Sequence, residues 1–187
     1  MMNTFILFCT LIFVGNLATA QRESDIRTAP PVYAVENVDV TRYMGTWHEV
    51  ALFPNKFQAQ CIADTTAIYT LQQNGRIEVR NRCKMENGTF DEVIGEAKFA
   101  GNDSKAKLKV RFAPWFLSWL PQVWGDYWVI ELEPSYRYAI VSEPSRKFLW
   151  ILSRTPKLSD ETLAGIKTRL TMKGYDVRKL QFKPQGV

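Results

Sequence analysis

The sequence predicts an all-β protein, an eight-stranded antiparallel up-and-down barrel with one C-terminal α-helix packed outside it. Eight short segments of strand character follow one another, separated by turn signals such as Asn74-Gly75 and Asn87-Gly88. A single amphipathic helical segment follows the last of them. Strands joined by short turns pair most simply with their neighbours, and closing the sheet into a barrel removes its exposed edges. A barrel of this size has room inside for one small ligand.

The predicted strands either alternate apolar and polar residues or are rich in β-branched residues. The clearest is Lys105–Phe112, in which Ala106, Leu108 and Val110 alternate with Lys and Arg. The others are Thr46–Phe53, Thr65–Leu71, Arg76–Cys83, Phe90–Ala100, Tyr127–Leu132, Tyr136–Val141 and Phe148–Leu152.

The helical segment has clear start and stop signals. Ser159 is a favourable N-cap residue, and Gly174 provides a C-terminal stop. A helix whose apolar residues form one stripe must bury that stripe, here against the outer wall of the barrel. The stripe consists of Leu163, Ile166 and Leu170. Residues 176–182 then predict a short final strand.

Composition fits one globular domain, which we expect over residues 38–187. The chain has 187 residues, of which 46% are hydrophobic and 23% charged, and its net charge is +5. Lys and Arg are scattered along the chain, which disfavours a nucleic-acid partner and leaves a weak attraction to anionic membrane surfaces. Residues 21–37 are polar and contain Pro30-Pro31, so we expect an extended N-terminal arm there.

Residues 1–20 predict a secretory signal peptide. An apolar run from Phe5 to Val14 precedes an A-x-A-like cleavage site at residues 18–20. The run is short for a membrane span, which needs about 20 apolar residues, although an uncleaved anchor stays open. Cys9 follows Phe8 rather than a small residue, so there is no convincing lipoprotein box. We expect an exported protein, periplasmic or outer-membrane-associated in a bacterium and secreted otherwise.

Cleavage of the signal would leave two cysteines, Cys61 and Cys83. An exported chain with two cysteines favours a disulfide, with two buried reduced thiols as the alternative. The pairing has a geometric difficulty, because the Asn74-Gly75 turn would set Cys83 opposite Thr66. Cys61 would then be five residues further on, unless the chain folds back over the third strand.

The most unusual segment of the chain is Phe112–Trp128, in which seven of seventeen residues are aromatic. It contains Pro114 and Pro121, which exclude one continuous helix. A charged chain with so many aromatic side chains in a loop-like segment requires a place for them, either in a pocket or on a surface that contacts a partner.

Three short motifs lie at matching places on the predicted barrel. Gly45-Thr46-Trp47 opens the first strand, Gly125-Asp126-Tyr127 opens the sixth, and Arg154 closes the eighth within LWILSRTP. Together with RYMGTWHEVA and GYDV, these motifs resemble the lipocalin family, and within it the bacterial Blc and apolipoprotein D group. The resemblance covers residues 38–182. One departure is Gly125, because many lipocalins have Thr at the start of the second motif.

The resemblance implies a structural plug made of Gly45, Trp47 and Arg154, with the guanidinium lying across the indole at the closed end of the barrel. The first strand then starts at that end, so connections from odd to even strands lie at the open end. The connection over residues 54–64 can act as a lid. The connection over residues 113–124 forms the pocket rim, with Trp115, Phe116 and Trp119 at the mouth.

A lipocalin barrel implies a small apolar ligand, and we expect a lipid such as a fatty acid or lysophospholipid, with membrane maintenance as the role. Candidate ligand-binding wall residues are Tyr69, Trp128 and Trp150, each of which could instead be plain core. Glu49 shares a strand face with Trp47, and it meets either a polar group of the ligand or a nearby Tyr or Arg. We expect no cofactor.

Two other function classes stay open. The first is a lipocalin-type enzyme, which the sequence disfavours because the only histidine, His48, should face outward beside Trp47. We therefore expect no enzyme, and no metal site either, since no ligand cluster has suitable spacing. The second is an interaction module whose aromatic rim docks on a membrane or a protein. A homodimer is left open.

Overall fold

The computed structural model describes residues 29–101 and 104–186, so the predicted signal peptide and the start of the arm lie outside the described residues. In this part of the chain a closed antiparallel barrel of eight strands confirms the predicted fold class. The strands are β1 (Gly45–Leu52), β2 (Cys61–Leu71), β3 (Ile77–Met85), β4 (Phe90–Phe99), β5 (Lys107–Arg111), β6 (Gly125–Leu132), β7 (Tyr138–Ser142) and β8 (Leu149–Ser153).

Each strand pairs with the next, and β1 closes the barrel by pairing with both β8 and β2. The β1–β2 ladder is short and runs from Gly45 opposite Tyr69 to His48 opposite Thr66. Helix α1 (Val40–Tyr43) precedes β1, and helix α2 (Asp160–Met172) follows β8. Four 3-10 turns lie at Lys56–Gln58, Trp115–Leu117, Pro121–Val123 and Val177–Lys179.

The C-terminal segment fills the seam between β1 and β2 beyond the end of their ladder. The predicted final strand over 176–182 is shorter than expected, because a 3-10 turn takes up Val177–Lys179 and only Gln181–Phe182 (β9) pairs with β1. Beyond it, the side chain of Gln185 donates to two backbone carbonyls, Glu49 O at 2.9 Å and Thr65 O at 3.2 Å. One side chain thus bridges two strands that no longer pair directly.

The barrel wall separates two apolar clusters. The inner cluster fills the barrel, and the outer cluster lies under α2, where Ile166 and Leu170 are fully buried. Ser159 accepts a hydrogen bond from the Thr162 backbone nitrogen and so caps α2, as predicted. Because the helix covers the outer face of β6–β8, these strands are apolar on both faces rather than alternating.

Trp47 and Arg154 close the end of the barrel where β1 begins. The Trp47 side chain is fully buried and donates from Nε1 to Tyr43 O at 2.8 Å. Arg154 lies over the indole with Cζ 3.8 Å from the ring centroid. Its guanidinium also donates to three backbone carbonyls of the segment around α1: Arg42 O at 2.6 Å, Met44 O at 2.9 Å and Thr46 O at 2.8 Å.

Gly45 gives the backbone beside Arg154 the conformation that the start of β1 requires. Its φ is +90°, a conformation that side-chain-bearing residues rarely adopt, and a Cβ there would lie 3.6 Å from Arg154 Nη1. The backbone conformation beside Arg154 therefore explains why the Gly45-Thr46-Trp47 motif begins with glycine.

The disulfide between Cys61 and Cys83 is present, with 5.5 Å between the two Cα atoms. The predicted difficulty disappears because β2 has two register shifts, between Cys61 and Ala63 and between Ala63 and Thr66. Asp64, with φ of +50°, marks the irregular stretch. The shifts bring Cys61 opposite Met85 and hence diagonal to Cys83, so the lid does not need to fold back over β3.

We predict that Arg154→Ala lowers the free energy of unfolding by about 1–3 kcal/mol, since the indole loses its stacked cation and three carbonyls lose their donor. Urea denaturation measures the loss. Arg137→Ala is the matched control, because that side chain is 75% exposed and forms a salt bridge with Glu133. Equal urea midpoints for wild type and Arg154→Ala would contradict the structural role of the plug.

Candidate ligand-binding site

Three tyrosines form the floor of the barrel interior: Tyr43 and Tyr69 are buried, and Tyr127 is half-buried. The Tyr127 hydroxyl lies 2.9 Å from the Tyr43 hydroxyl and 2.9 Å from the Tyr69 hydroxyl. Burial raises the pKa of all three phenols, that of Tyr69 to about 12, so all stay protonated near neutral pH. A cavity of about 20 Å³ beside them is lined by apolar residues such as Met44 and Leu108. It has room for about one water molecule, so the floor is packed.

Glu49 lies above this floor on the inner face of β1 and is 4% exposed. Its Oε2 accepts a hydrogen bond of 2.7 Å from Gln58 Nε2, while Oε1 has no partner among the described residues. Gln58 Oε1 in turn accepts from Trp150 Nε1 at 2.9 Å and from Asn55 Nδ2 at 3.2 Å. Because an indole nitrogen only donates, the amide oxygen must face Trp150 and the amide nitrogen must face Glu49.

This network ties the lid to the interior. Gln58 belongs to the 3-10 turn of the β1–β2 connection, while Glu49 and Trp150 belong to barrel strands. Sequence analysis missed Gln58, since a glutamine in a loop gives no signal of its own. Sequence analysis left Glu49 two roles, contact with a ligand or with a nearby Tyr or Arg. Within residues 29–101 and 104–186, no Arg or Tyr hydrogen-bonds to its carboxylate, which bonds to the lid through Gln58 instead.

Burial raises the pKa of Glu49 from its ordinary value near 4.5 to about 7, although the hydrogen bond from Gln58 and the charge of Lys183 act in the opposite direction. The carboxyl therefore titrates in the neutral range, and its ionised form is disfavoured inside the barrel.

The four predicted ligand-binding residues do not all face the interior. Tyr69 and Trp150 join Glu49 on the inner side, packed with the inner cluster. Trp128 instead packs with the outer cluster, and Lys107 Nζ lies 4.5 Å from the centroid of its ring. Tyr127 takes the inner position that sequence analysis gave to Trp128. Tyr127 and Trp128 are consecutive aromatic residues near the start of β6 and face opposite sides of the strand. The alternation of residue types therefore could not show which of the two faces the interior.

The aromatic rim is an ordered loop with its largest side chains in solvent. Trp115 is 78% exposed, Phe116 58% and Trp119 75%. Trp124 anchors the loop by donating from Nε1 to Ser118 O at 2.8 Å. Its ring also lies 4.1 Å from Lys98 Nζ, centroid to nitrogen, and 5.2 Å from Arg111 Cζ. The anchor holds the loop while the exposed rings stay free to contact something else.

The single histidine, His48, has a glutamine as its hydrogen-bond partner. His48 lies outside the inner face, with Nδ1 3.4 Å from Gln185 Oε1. Among residues 29–101 and 104–186, no group of three or more His, Cys, Asp or Glu side chains could hold a metal ion. Over the same residues, no helix is both long and apolar enough to cross a bilayer.

We predict that the stability of this protein falls as pH rises from about 5 to 8, relative to Glu49→Gln. The folded protein holds a proton on Glu49 up to about pH 7, whereas the unfolded chain loses it near 4.5. The contribution of Glu49 to stability is therefore fully present below about pH 4.5 and is lost as pH rises to about 7, by about 3 kcal/mol in all. Glu49→Gln should unfold like wild type at pH 5 and be more stable at pH 8.

Urea midpoints for wild type and variant at several pH values measure this difference. Glu92→Gln is the matched control, because Glu92 lies on the outer surface with 40% of its side chain exposed. A difference between wild type and Glu49→Gln that does not change with pH would contradict the burial of Glu49.

Several known proteins are similar in sequence to this chain. The Lipocalin-like domain family matches residues 38–185. Temperature-induced lipocalin-1 of Arabidopsis thaliana is 44% identical over 154 residues, covering 81% of this chain and 82% of the relative. Outer membrane lipoprotein Blc of Escherichia coli (strain K12) is 39% identical over 153 residues, covering 80% and 82%. Apolipoprotein D of Mus musculus is 36% identical over 166 residues, covering 84% and 82%.

These matches confirm the resemblance inferred from the three motifs. The family match over residues 38–185 includes the plug, the lid, the rim and the C-terminal seam. The chain belongs to the lipocalin family, whose members are generally binding proteins for small hydrophobic ligands.

Proposed function

We propose that this lipocalin binds and carries a lipid or similar small apolar molecule inside its barrel, in an exported compartment, for membrane maintenance. The observation that supports this most is the asymmetry of the barrel interior. One end is sealed by Trp47 and Arg154, and at the other end Gln58 ties a short lid to Glu49 and Trp150.

An acyl chain supplies enough free energy for binding in such a space. Burial of apolar surface contributes about 0.8 kcal/mol per CH₂ group, against several kcal/mol lost in ordering the ligand. The packed tyrosine floor limits the depth of the site, so the ligand would lie between Tyr127 and the lid. Loading would then require Gln58 to move away from Glu49 and Trp150.

The exposed rim supports a second part of the proposal, contact with a membrane during loading. Trp115 and Trp119 project from a loop at the open end, and tryptophan partitions favourably into the interface of a bilayer. Phe57 on the lid is also 60% exposed, which extends the apolar surface around the mouth. A net charge of +5 adds attraction to anionic lipid.

The disulfide supports export, since such bonds persist in oxidising compartments. The name of the Escherichia coli relative places that protein at the outer membrane. For this chain we propose the periplasm or outer membrane in a bacterial host and secretion in any other host.

We predict different effects for rim and wall variants. Trp115→Ala and Trp119→Ala should slow lipid uptake from vesicles severalfold while leaving the equilibrium dissociation constant nearly unchanged, because exposed loop side chains bury little. Trp150→Ala should weaken equilibrium binding by about tenfold or more, since it removes a large interior contact surface. Transfer kinetics and an equilibrium titration with a fluorescent fatty acid analogue measure both effects.

Trp128→Phe is the control, because its ring packs outside the barrel. If the rim variants lost equilibrium affinity as fully as Trp150→Ala, the long loop would be part of the pocket wall. If wild type bound no apolar ligand at all, the proposed function itself would be wrong.

A further inference from the structure

Three polar atoms inside the barrel have no hydrogen-bond partner in the described part of the chain. They are Glu49 Oε1, Thr65 Oγ1 and Asn81 Oδ1, each with almost no exposed surface. Glu49 is 4% and Thr65 3% exposed as whole residues. A buried polar atom without a partner costs about 1–3 kcal/mol. Native proteins rarely keep several such atoms together, so their grouping requires an explanation.

The three side chains come from neighbouring strands and face the same space. Residues two apart on a strand point to the same side of the sheet. Thr65 therefore faces the same side of β2 as Ala67 and Tyr69, and Asn81 faces the same side of β3 as Val79. Ala67, Tyr69 and Val79 all belong to the inner cluster. The side chains of Thr65 and Asn81 therefore also face the barrel interior.

Strand pairing places the three side chains in one band. Extending the β1–β2 register by one residue beyond His48 and Thr66 puts Glu49 beside Thr65. The Gln185 side chain confirms their proximity, because its Nε2 donates to the backbone carbonyls of both residues. Asn81 pairs with Ala67 and is thus diagonal to Thr65, about 7–8 Å away across the ladder. We call Glu49, Thr65 and Asn81 the polar band.

Apolar residues surround the polar band, and Lys183 is the cation of the described residues that acts on Glu49. Leu152 flanks Glu49 on β8, and Ala67 and Val79 lie below the band. The cation that acts on Glu49 is Lys183, and its ammonium already donates to Cys61 O at 2.5 Å. Once Glu49 has lost its proton, as at pH 8, its Oε1 and Asn81 Oδ1 are both acceptors, while the Thr65 hydroxyl can accept or donate.

We propose that the polar band is a head-group subsite that selects neutral lipids carrying hydrogen-bond donors, such as monoacylglycerols, over fatty acids of the same chain length. A ligand hydroxyl would donate to Glu49 Oε1 or Asn81 Oδ1 and satisfy an acceptor that lacks a donor. An ionised carboxylate would meet a second carboxylate in a low-dielectric space, and like charges at close range disfavour each other strongly there. This selectivity differs from the fatty acid expected from sequence, and it rests on the proposed function.

The test is an equilibrium titration at pH 8 with three ligands that share one acyl chain: 1-monolaurin, laurate and methyl laurate. Monolaurin has hydroxyl donors, laurate is charged, and methyl laurate is neutral without a donor. Wild type should bind monolaurin about tenfold or more tightly than laurate, because a hydrogen bond to a charged group is gained and a charge repulsion avoided.

Glu49→Gln should reduce the preference for monolaurin over laurate to within about threefold, since the amide removes the repulsion and can donate to a carboxylate. Thr65→Val should weaken monolaurin severalfold and leave methyl laurate unchanged. Glu92→Gln, on the outer surface, should behave like wild type. Urea midpoints at pH 8 establish that each variant is folded.

Each outcome bears on one proposal. Equal affinity of wild type for monolaurin and laurate, or an unchanged preference in folded Glu49→Gln, would overturn the head-group subsite while leaving lipid binding intact. Failure of wild type to bind any of the three ligands would instead count against the proposed function.

Discussion

The Trp47 indole beneath the Arg154 guanidinium is the contact on which the rest of the barrel depends. Arg154 ties the eighth strand to the carbonyls around α1, so the segment before β1 is held across the end of the barrel. The same segment supplies Tyr43, which completes the tyrosine floor through Tyr127. Because this end is sealed and packed, any ligand must pass the other end. The lid can therefore move, and the aromatic rim can be exposed, without disrupting the packing of the inner apolar cluster.

The barrel interior carries a polar arrangement that folding alone would not favour. Glu49 is buried at the cost of a raised pKa, and Thr65 and Asn81 nearby keep atoms without partners. Unfavourable buried groups of this kind concentrate at functional sites, where a ligand supplies the missing interaction. The lid bond from Gln58 satisfies one oxygen of Glu49 and leaves the other for a ligand. Closure of the lid and recognition of a head group thus act on the same carboxyl group.

Sequence patterns predicted the strands, the helix and the plug because each depends on local alternation, caps or a short motif. They failed where a position depends on pairing between strands. The resemblance and its bulky side chain in mid-strand assigned Trp128 to the interior, but Trp128 packs with the outer cluster. The neighbouring residue Tyr127 is also aromatic, and the outer face under α2 is as apolar as the inner one. The register shifts of β2 near Asp64 leave no signal in the sequence, so Cys61 was expected to lie too far from Cys83 in an extended chain. The polar band needs the register of three strands at once, which no single segment of sequence contains.

The location of a bound ligand would test these conclusions most directly. A crystal structure of the protein with 1-monolaurin should show the acyl chain between the tyrosine floor and the lid. A ligand hydroxyl should lie within hydrogen-bonding distance of Glu49 Oε1. Density for the ligand outside the barrel, in the groove lined by Glu131, Tyr138 and Met172 beside α2, or only on the rim around Trp115 and Trp119, would contradict an interior site selected by Glu49.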